Sequence, residues 1–469
     1  MKDLRGLAVS TSSAHALEHF ETALTQFHSY TGDPLATMQQ ALQADPEFAL
    51  AHLFNVFAMY TATEQRYLPA VREAIAKAAA LRAKMNSRER DLLDAAELLV
   101  EGKWRDASRA FDSILIEHPR DTLAIQTAHL MDFFQGDALN LRNRISRVLP
   151  HWDEKVPSYS YILGMHAFGL EECNQYPEAE RAARRALELQ PRDGWAVHAV
   201  AHVMEMQGRI SEGIEWLQSR ESDWAPDNMF APHNWWHLAL FNMDLGNFDA
   251  ALDLFDQKLA GPQLDMMLVL LDASALLWRL RLEGVDVGNR FERVADIWAG
   301  KLEQEAGYYA FNDAHAMMSF AATGRAGEIA RLRRSMRTAV KGSAFNAAMT
   351  RDVGMPLVDG LEAYARNRHA EAIAAIEPVR DTANLFGGSH AQRDLLTLTL
   401  IDASIRVGDT RRARHYIAER QVHKPTAWSE RLLARSEREG RVLNRTAASS
   451  TRVAVAAPKA PARVASLQS

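Results

Sequence analysis

Two pairs of histidines in this chain are spaced to act together. His198 and His202 stand four residues apart in WAVHAVAHVMEMQG, with Glu205 three residues further on, and His233 and His237 stand four apart in HNWWH. Residues three and four apart share one face of an α-helix. Each pair can therefore present two imidazoles to one ligand, and imidazoles at that spacing chelate divalent metals such as zinc. A carboxylate one turn on can ligate, orient an imidazole or serve as a base. The HExxH zinc-protease motif is absent, because Ala199 follows His198 where that motif has Glu. A plainer role is also open to the pairs: imidazoles hydrogen-bonded within the packing between helices, with Glu205 closing the network.

More polar residues follow the same logic downstream. Asp272 sits among leucines in LLDASALLWRL and needs a partner if buried. FNDAHAMM supplies Asn312, Asp313 and His315, and GGSHAQRD supplies Ser389, His390, Arg393 and Asp394. Trp195, Trp235, Trp236, Tyr308, Tyr309 and Phe311 lie beside them. These aromatics can wall a small-molecule pocket or pack between repeats. No Gly-rich phosphate loop follows a strand and no GxSxG elbow is present.

The elements that must position these residues are helical. Ala and Leu recur at three-and-four spacing, and runs of alternating β-branched residues are missing. Turn residues mark a repeat: Gly102, Gly136, Asn174, Gly208, Gly246, Gly284, Gly324, Asn367 and Gly408, at intervals of 34, 38, 34, 38, 38, 40, 43 and 41. Each lies between a helix that ends and an Ala-rich helix that begins. Ala95, Gly102, Ala107, Phe111 and Pro119 fall at tetratricopeptide-like offsets, and Gly32, Ala41 and Pro46 fit a first unit. One hairpin cannot bury its own apolar face, so neighbours must stack. The pattern predicts an all-α, tetratricopeptide-type helical-hairpin α-solenoid, a right-handed superhelix of roughly nine or ten hairpins. Longer loops are predicted in its second half. The histidines, Asp272, Asn312, Asp313, His315 and His390 all fall on first helices, which line the concave surface of such arrays. Adjacent first helices stack about 10 Å apart, so both histidine pairs can face one space.

Residues 1–14 read as a flexible N-terminus and 15–440 as one continuous array. Residues 441–469 are rich in Ala, Ser and Pro, lack acidic residues, and read as a disordered basic tail. The net charge of -6 does not argue for nucleic acid or a membrane surface, and no segment approaches a membrane span. Cys173 is the sole cysteine, so neither an intrachain disulfide nor a cysteine-based zinc site can form. A reducing cytoplasm suits this composition. The basic runs at 331–337 and 411–414 fall on second helices and read as solvated outer faces.

The ordered blocks HAVAHVMEMQGR, HNWWHLAL, DASALLWRLRLEG, FNDAHAMM and GGSHAQRD resemble the tetratricopeptide repeat protein 38 family, from about residue 15 to 440. The resemblance implies a tetratricopeptide-type solenoid and brings no settled reaction with it. The residues that match are His198, His202, Glu205, His233, His237, Asp272, Asn312, Asp313, His315, His390, Arg393 and Asp394.

Three functions follow as expectations. The first is a small molecule or peptide bound in the concave groove by a His- and Asp-rich pocket. His198, Glu205, His233, Trp236, Asn312, His315, His390, Arg393 and Asp394 would make its contacts. The second is a hydrolase or lyase in which His202 or His237 acts as base or metal ligand and Asp272 or Asp313 orients it. A divalent metal such as zinc would be held there by His198, His202, His233 and His237. The third is a protein-interaction scaffold.

Overall fold

The computed structural model describes residues 1–439; the tail expected from residue 441 lies outside them. The described residues form an all-α solenoid of helical hairpins, with no strand beyond two isolated bridges. The sequence explains the two layers. Second helices are amphipathic: Tyr176–Leu189 buries only Ala179, Ala183, Ala186 and Leu187, one stripe at helical spacing. The first helices around the middle of the chain are buried on nearly all sides. In Gly194–Met206 every residue is buried, including two histidines and a glutamate.

All nine turn markers adopt the left-handed backbone region, from φ 59 at Asn367 to φ 82 at Gly246. The hairpin of Ala49–Tyr60 with Leu68–Ala80 has no Gly or Asn marker, because Thr63 takes the left-handed turn instead. The second half has longer connections, at 260–266 and 283–289, as well as irregular helix. The irregular helix comprises π-helical turns at Phe255–Leu259 and Thr350–Gly354 and a 3-10 stretch at Glu377–Phe386.

The solenoid also closes on itself. Backbone N–H groups of Gln65 and Arg66 donate to Glu305 at 2.6 and 3.1 Å, and Tyr309 Oη donates to the Phe134 carbonyl at 3.1 Å. Phe345 N donates to the Gly102 carbonyl at 2.9 Å. At the far end Lys424 reaches Glu205 at 2.5 Å, across 219 residues of sequence. Gly136 and Gly208 permit further close approaches of this kind. A Cβ at Gly136 would stand 1.7 Å from the Asn384 carbonyl oxygen, and one at Gly208 2.1 Å from that of Pro425.

Residues 1–13 are not a loose arm. Arg5 is buried and ion-paired to Glu21 at 2.8 Å and Asp3 at 3.3 Å, and Leu4 N donates to Glu21. A buried guanidinium needs those carboxylates, and they fix the segment to the first helix, Ala14–Ser29.

Candidate metal centre

The centre is built from two consecutive first helices, Gly194–Met206 and Ala231–Leu245. Asp193 caps the first by accepting from Trp195 N and Ala196 N, and Pro232 opens the second. Asn234 Nδ2 ties them by donating to the Gly194 carbonyl at 3.3 Å. The four-residue spacing then stacks His198 over His202 and His233 over His237. The facing pairs converge: each of the four offers a ring nitrogen, and these nitrogens all lie within 4.8 Å of one another. All four side chains are buried.

The shortest approach is His198 Nε2 to His233 Nε2, 3.2 Å. Two nitrogens bound at 2.0–2.1 Å to one tetrahedral ion stand about 3.3 Å apart, so the distance suits shared coordination. The outward nitrogens of the second pair are held by carboxylates. His233 Nδ1 lies 2.7 Å from Asp272 and His237 Nδ1 2.9 Å from Glu205. Each Nδ1–H donates outward, which leaves Nε2 with its lone pair facing the cluster. Among the described residues, His198 Nδ1, both nitrogens of His202 and His237 Nε2 have no hydrogen-bond partner despite burial.

The electrostatics favour ligands over cations at two of the positions. Burial, reinforced by the neighbouring imidazoles, holds His198 and His237 well below the ordinary histidine range, so both rings are neutral at pH 7. At His202 burial acts the same way but is outweighed by the Glu171 carboxylate, with Glu205 and Glu172 behind it, and the net shift is upward. Burial opposes the charge of Glu205, yet Lys424 and His237 keep it well below the usual carboxylate range. Burial raises Asp272 against the pull of His233. Aromatic rings wall the cluster. Trp236 stacks on His233 at 5.2 Å between centroids, Phe230 lies 5.1 Å from His198, and Phe168 lies 5.4 Å from His202.

A carboxylate shell separates this centre from a cavity of about 350 Å³, whose wall includes His390, Arg393, Asp394 and Lys424. Glu171 and Glu172 form the shell at the end of the Tyr159–Glu172 helix. His202 Nδ1 lies 3.4 Å from Glu171, and His390 N donates to Glu172 at 2.9 Å.

The structure thus gathers His198, His202, Glu205, His233, Trp236, His237 and Asp272 in one place, with His390, Arg393 and Asp394 on the cavity side. Asn312, Asp313 and His315 stand elsewhere with partners of their own. Asn312 donates to the Thr63 carbonyl at 3.0 Å, Asp313 accepts from Gly307 N at 2.9 Å, and His315 Nδ1 donates to the Phe311 carbonyl at 2.8 Å. These contacts hold turns and helix starts, and they correct the expectation that Asp313 orients a catalytic histidine. Nor is there an open groove at the centre: the inner faces of its helices are covered by the His390–Arg406 helix and the segment around Lys424.

Glu171, Glu172 and Lys424 were not among the candidates. Glu171 had a signal, since it precedes the marker Asn174 by three residues as Glu205 precedes Gly208. Lys424 had none, because only closure of the solenoid brings it there.

No family model matches the sequence. Among solved structures, the chain is similar to one in a crystal structure of the APC/C hetero-tetramer Cut9–Hcn1. The identity is 15% and the TM-score 0.35, over 82% of this chain and 76% of that one. It is also similar to a monomeric mutant of IFIT1 with Gppp-AAAA, at 12% identity and a TM-score of 0.40, over 89% of this chain and 99% of that one.

Proposed function

We propose that this chain is a metal-binding solenoid whose interior holds one divalent transition-metal ion, zinc by its all-imidazole donor set, on His198, His202, His233 and His237. The observation that carries this reading is the convergence of four buried ring nitrogens within 4.8 Å. Leaving buried imidazole nitrogens without partners costs free energy, and one ion bound by one nitrogen of each ring satisfies His237 Nε2 and one nitrogen of His202. Asp272 and Glu205 orient His233 and His237 as outer partners commonly do. Four protein ligands make a closed site, so the ion's first role is to clamp two consecutive hairpins.

The adjoining cavity favours a second reading, in which the centre serves chemistry on a small polar ligand, of hydrolase or lyase type. A peptide held along the inner wall fits less well, since that wall is buried at the centre. A protein partner would dock on other surfaces. The blocks that supply the centre are those that resemble the tetratricopeptide repeat protein 38 family, and membership of that family is part of the proposal, as is a cytoplasmic location. No helix among the described residues is long and apolar enough to cross a membrane.

Metal analysis tests the reading. Purified protein is expected to carry one zinc per chain, and cobalt substitution to give the intense visible bands of a tetrahedral site. His198→Ala and His233→Ala each remove the ion. Wild-type protein that binds neither metal, and whose melting temperature ignores both zinc and EDTA, would overturn it.

A further inference from the structure

The carboxylate shell poses a problem that the four-histidine centre does not solve. Glu171 is fully buried, and neither of its oxygens has a hydrogen-bond donor. Its closest basic nitrogens belong to imidazoles: His202 Nδ1 at 3.4 Å and His390 Nδ1 at 4.0 Å. The fixed cations nearby are engaged elsewhere. Lys424 pairs with Glu205 at 2.5 Å, Arg420 grips Asp394 with two bonds of 2.9 and 2.8 Å, and Arg279 donates to the Ala391 carbonyl at 2.6 Å. Arg393 approaches Glu172 at 3.4 Å. A buried carboxylate without donors is expensive unless a cation stands against it.

Glu171, Glu172 and His202 are also arranged to supply that cation's ligands. Each offers one donor atom, and the three atoms lie within 4.8 Å of one another. We propose that these residues form a second divalent-cation position, which meets the 350 Å³ cavity through His390 and Arg393, two lining residues that approach Glu172. It rests on the four-histidine reading, because His202 belongs to both groups: with Nδ1 toward Glu171 and Nε2 as its other free nitrogen, its ring would give up its N–H proton to solvent and bridge the two ions as imidazolate.

The two positions differ in kind. The first has four nitrogen donors behind aromatic walls. The second has two carboxylates and one imidazole, a harder donor set that suits manganese or magnesium as well as zinc. Three protein ligands leave coordination for water or substrate, the pattern of catalytic rather than structural sites. Between this position and the cavity stands His390, a quarter exposed, whose Nε2 lies 3.8 Å from Glu172. Arg393 lines the same cavity beside His390, so a small ligand with an anionic group, carboxylate or phosphate, is the class this position would accept.

Full-length protein loaded with one equivalent of zinc and titrated with Mn²⁺ tests the proposal by calorimetry and by loss of the free Mn²⁺ resonance signal. One further equivalent is expected to bind. The double variant Glu171→Gln, Glu172→Gln is expected to weaken Mn²⁺ at least a hundredfold and to keep its zinc. Zinc-loaded wild type that takes up no Mn²⁺ overturns the second position, and so does a double variant that titrates like wild type. If the double variant does not fold, the ¹⁴N coupling of one imidazole to Mn²⁺ bound by wild type decides, and its absence refutes the assignment. Failure of the four-histidine reading looks different: zinc content that ignores His198→Ala and His233→Ala.

Discussion

A neutral imidazole carries a proton on one nitrogen and a lone pair on the other, and its neighbours decide which is which. At His233 that neighbour is Asp272, 2.7 Å from Nδ1. Asp272→Asn keeps an oxygen acceptor but loses the charge that raises ligand basicity. Zinc affinity is expected to fall about 10–100-fold, read by competition with a chromophoric chelator. Asp313 supplies a second residue-scale prediction, remote from the proposed metal centre. Burial pushes its carboxyl up to about 7, against the hydrogen bond from Gly307 N. The folded state therefore holds a proton that the unfolded chain releases near pH 4. Its contribution is fully present below that value, is lost as pH rises toward 7, and has a span of at most about 4 kcal/mol. Asp313→Asn cannot ionise, so the stability of the variant minus that of wild type is expected to climb between pH 4 and 8. A flat difference in denaturation experiments across that range would show that Asp313 is charged at no cost.

At the scale of elements, the turn markers were legible because a left-handed backbone is cheap for Gly and tolerable for Asn, and few other residues substitute. Thr63 breaks that rule, and its hairpin left no mark in the repeat series. The histidine pairs were legible because helical spacing alone puts them on one face. Glu171 was legible in principle, by register. Lys424 and the covered inner wall were not, because both depend on contacts across some two hundred residues, which local pattern does not encode. Marker glycines nevertheless differ in what they do, and substitution separates them. Gly324→Ala meets no atom within 4 Å and bears only the cost of its φ of 69, about 1–2 kcal/mol. Gly208→Ala places a methyl against the Pro425 carbonyl. It is expected to cost more than Gly324→Ala in urea denaturation and also to weaken zinc binding, since Lys424 lies next to Pro425 and pairs with Glu205 behind His237. Equal losses at both positions would mean that the closing segment is not held there.

At the scale of the whole molecule, an open array of hairpins is stabilised by neighbours alone and unravels from its ends. Here both end regions of the described chain are tied to distant partners: Ser10 N to Glu89 near the start, and Lys424 to Glu205 at the centre. Lys424→Met leaves Glu205 buried without its cation and is expected to cost about 3–5 kcal/mol. Wild type should unfold in one transition, and the variant in two, with the segment beyond residue 390 released first; hydrogen exchange would resolve the order. The bond between Glu205 and Lys424 also carries a consequence for how such a chain can change over generations. Repeat arrays commonly lengthen or shorten by whole units, because each unit needs only its neighbours. In this chain a hairpin gained or lost anywhere between residues 205 and 424 would swing the lysine away from its carboxylate and uncover the histidines. Its number of repeats is held by its centre, as the length of a belt is held by its buckle.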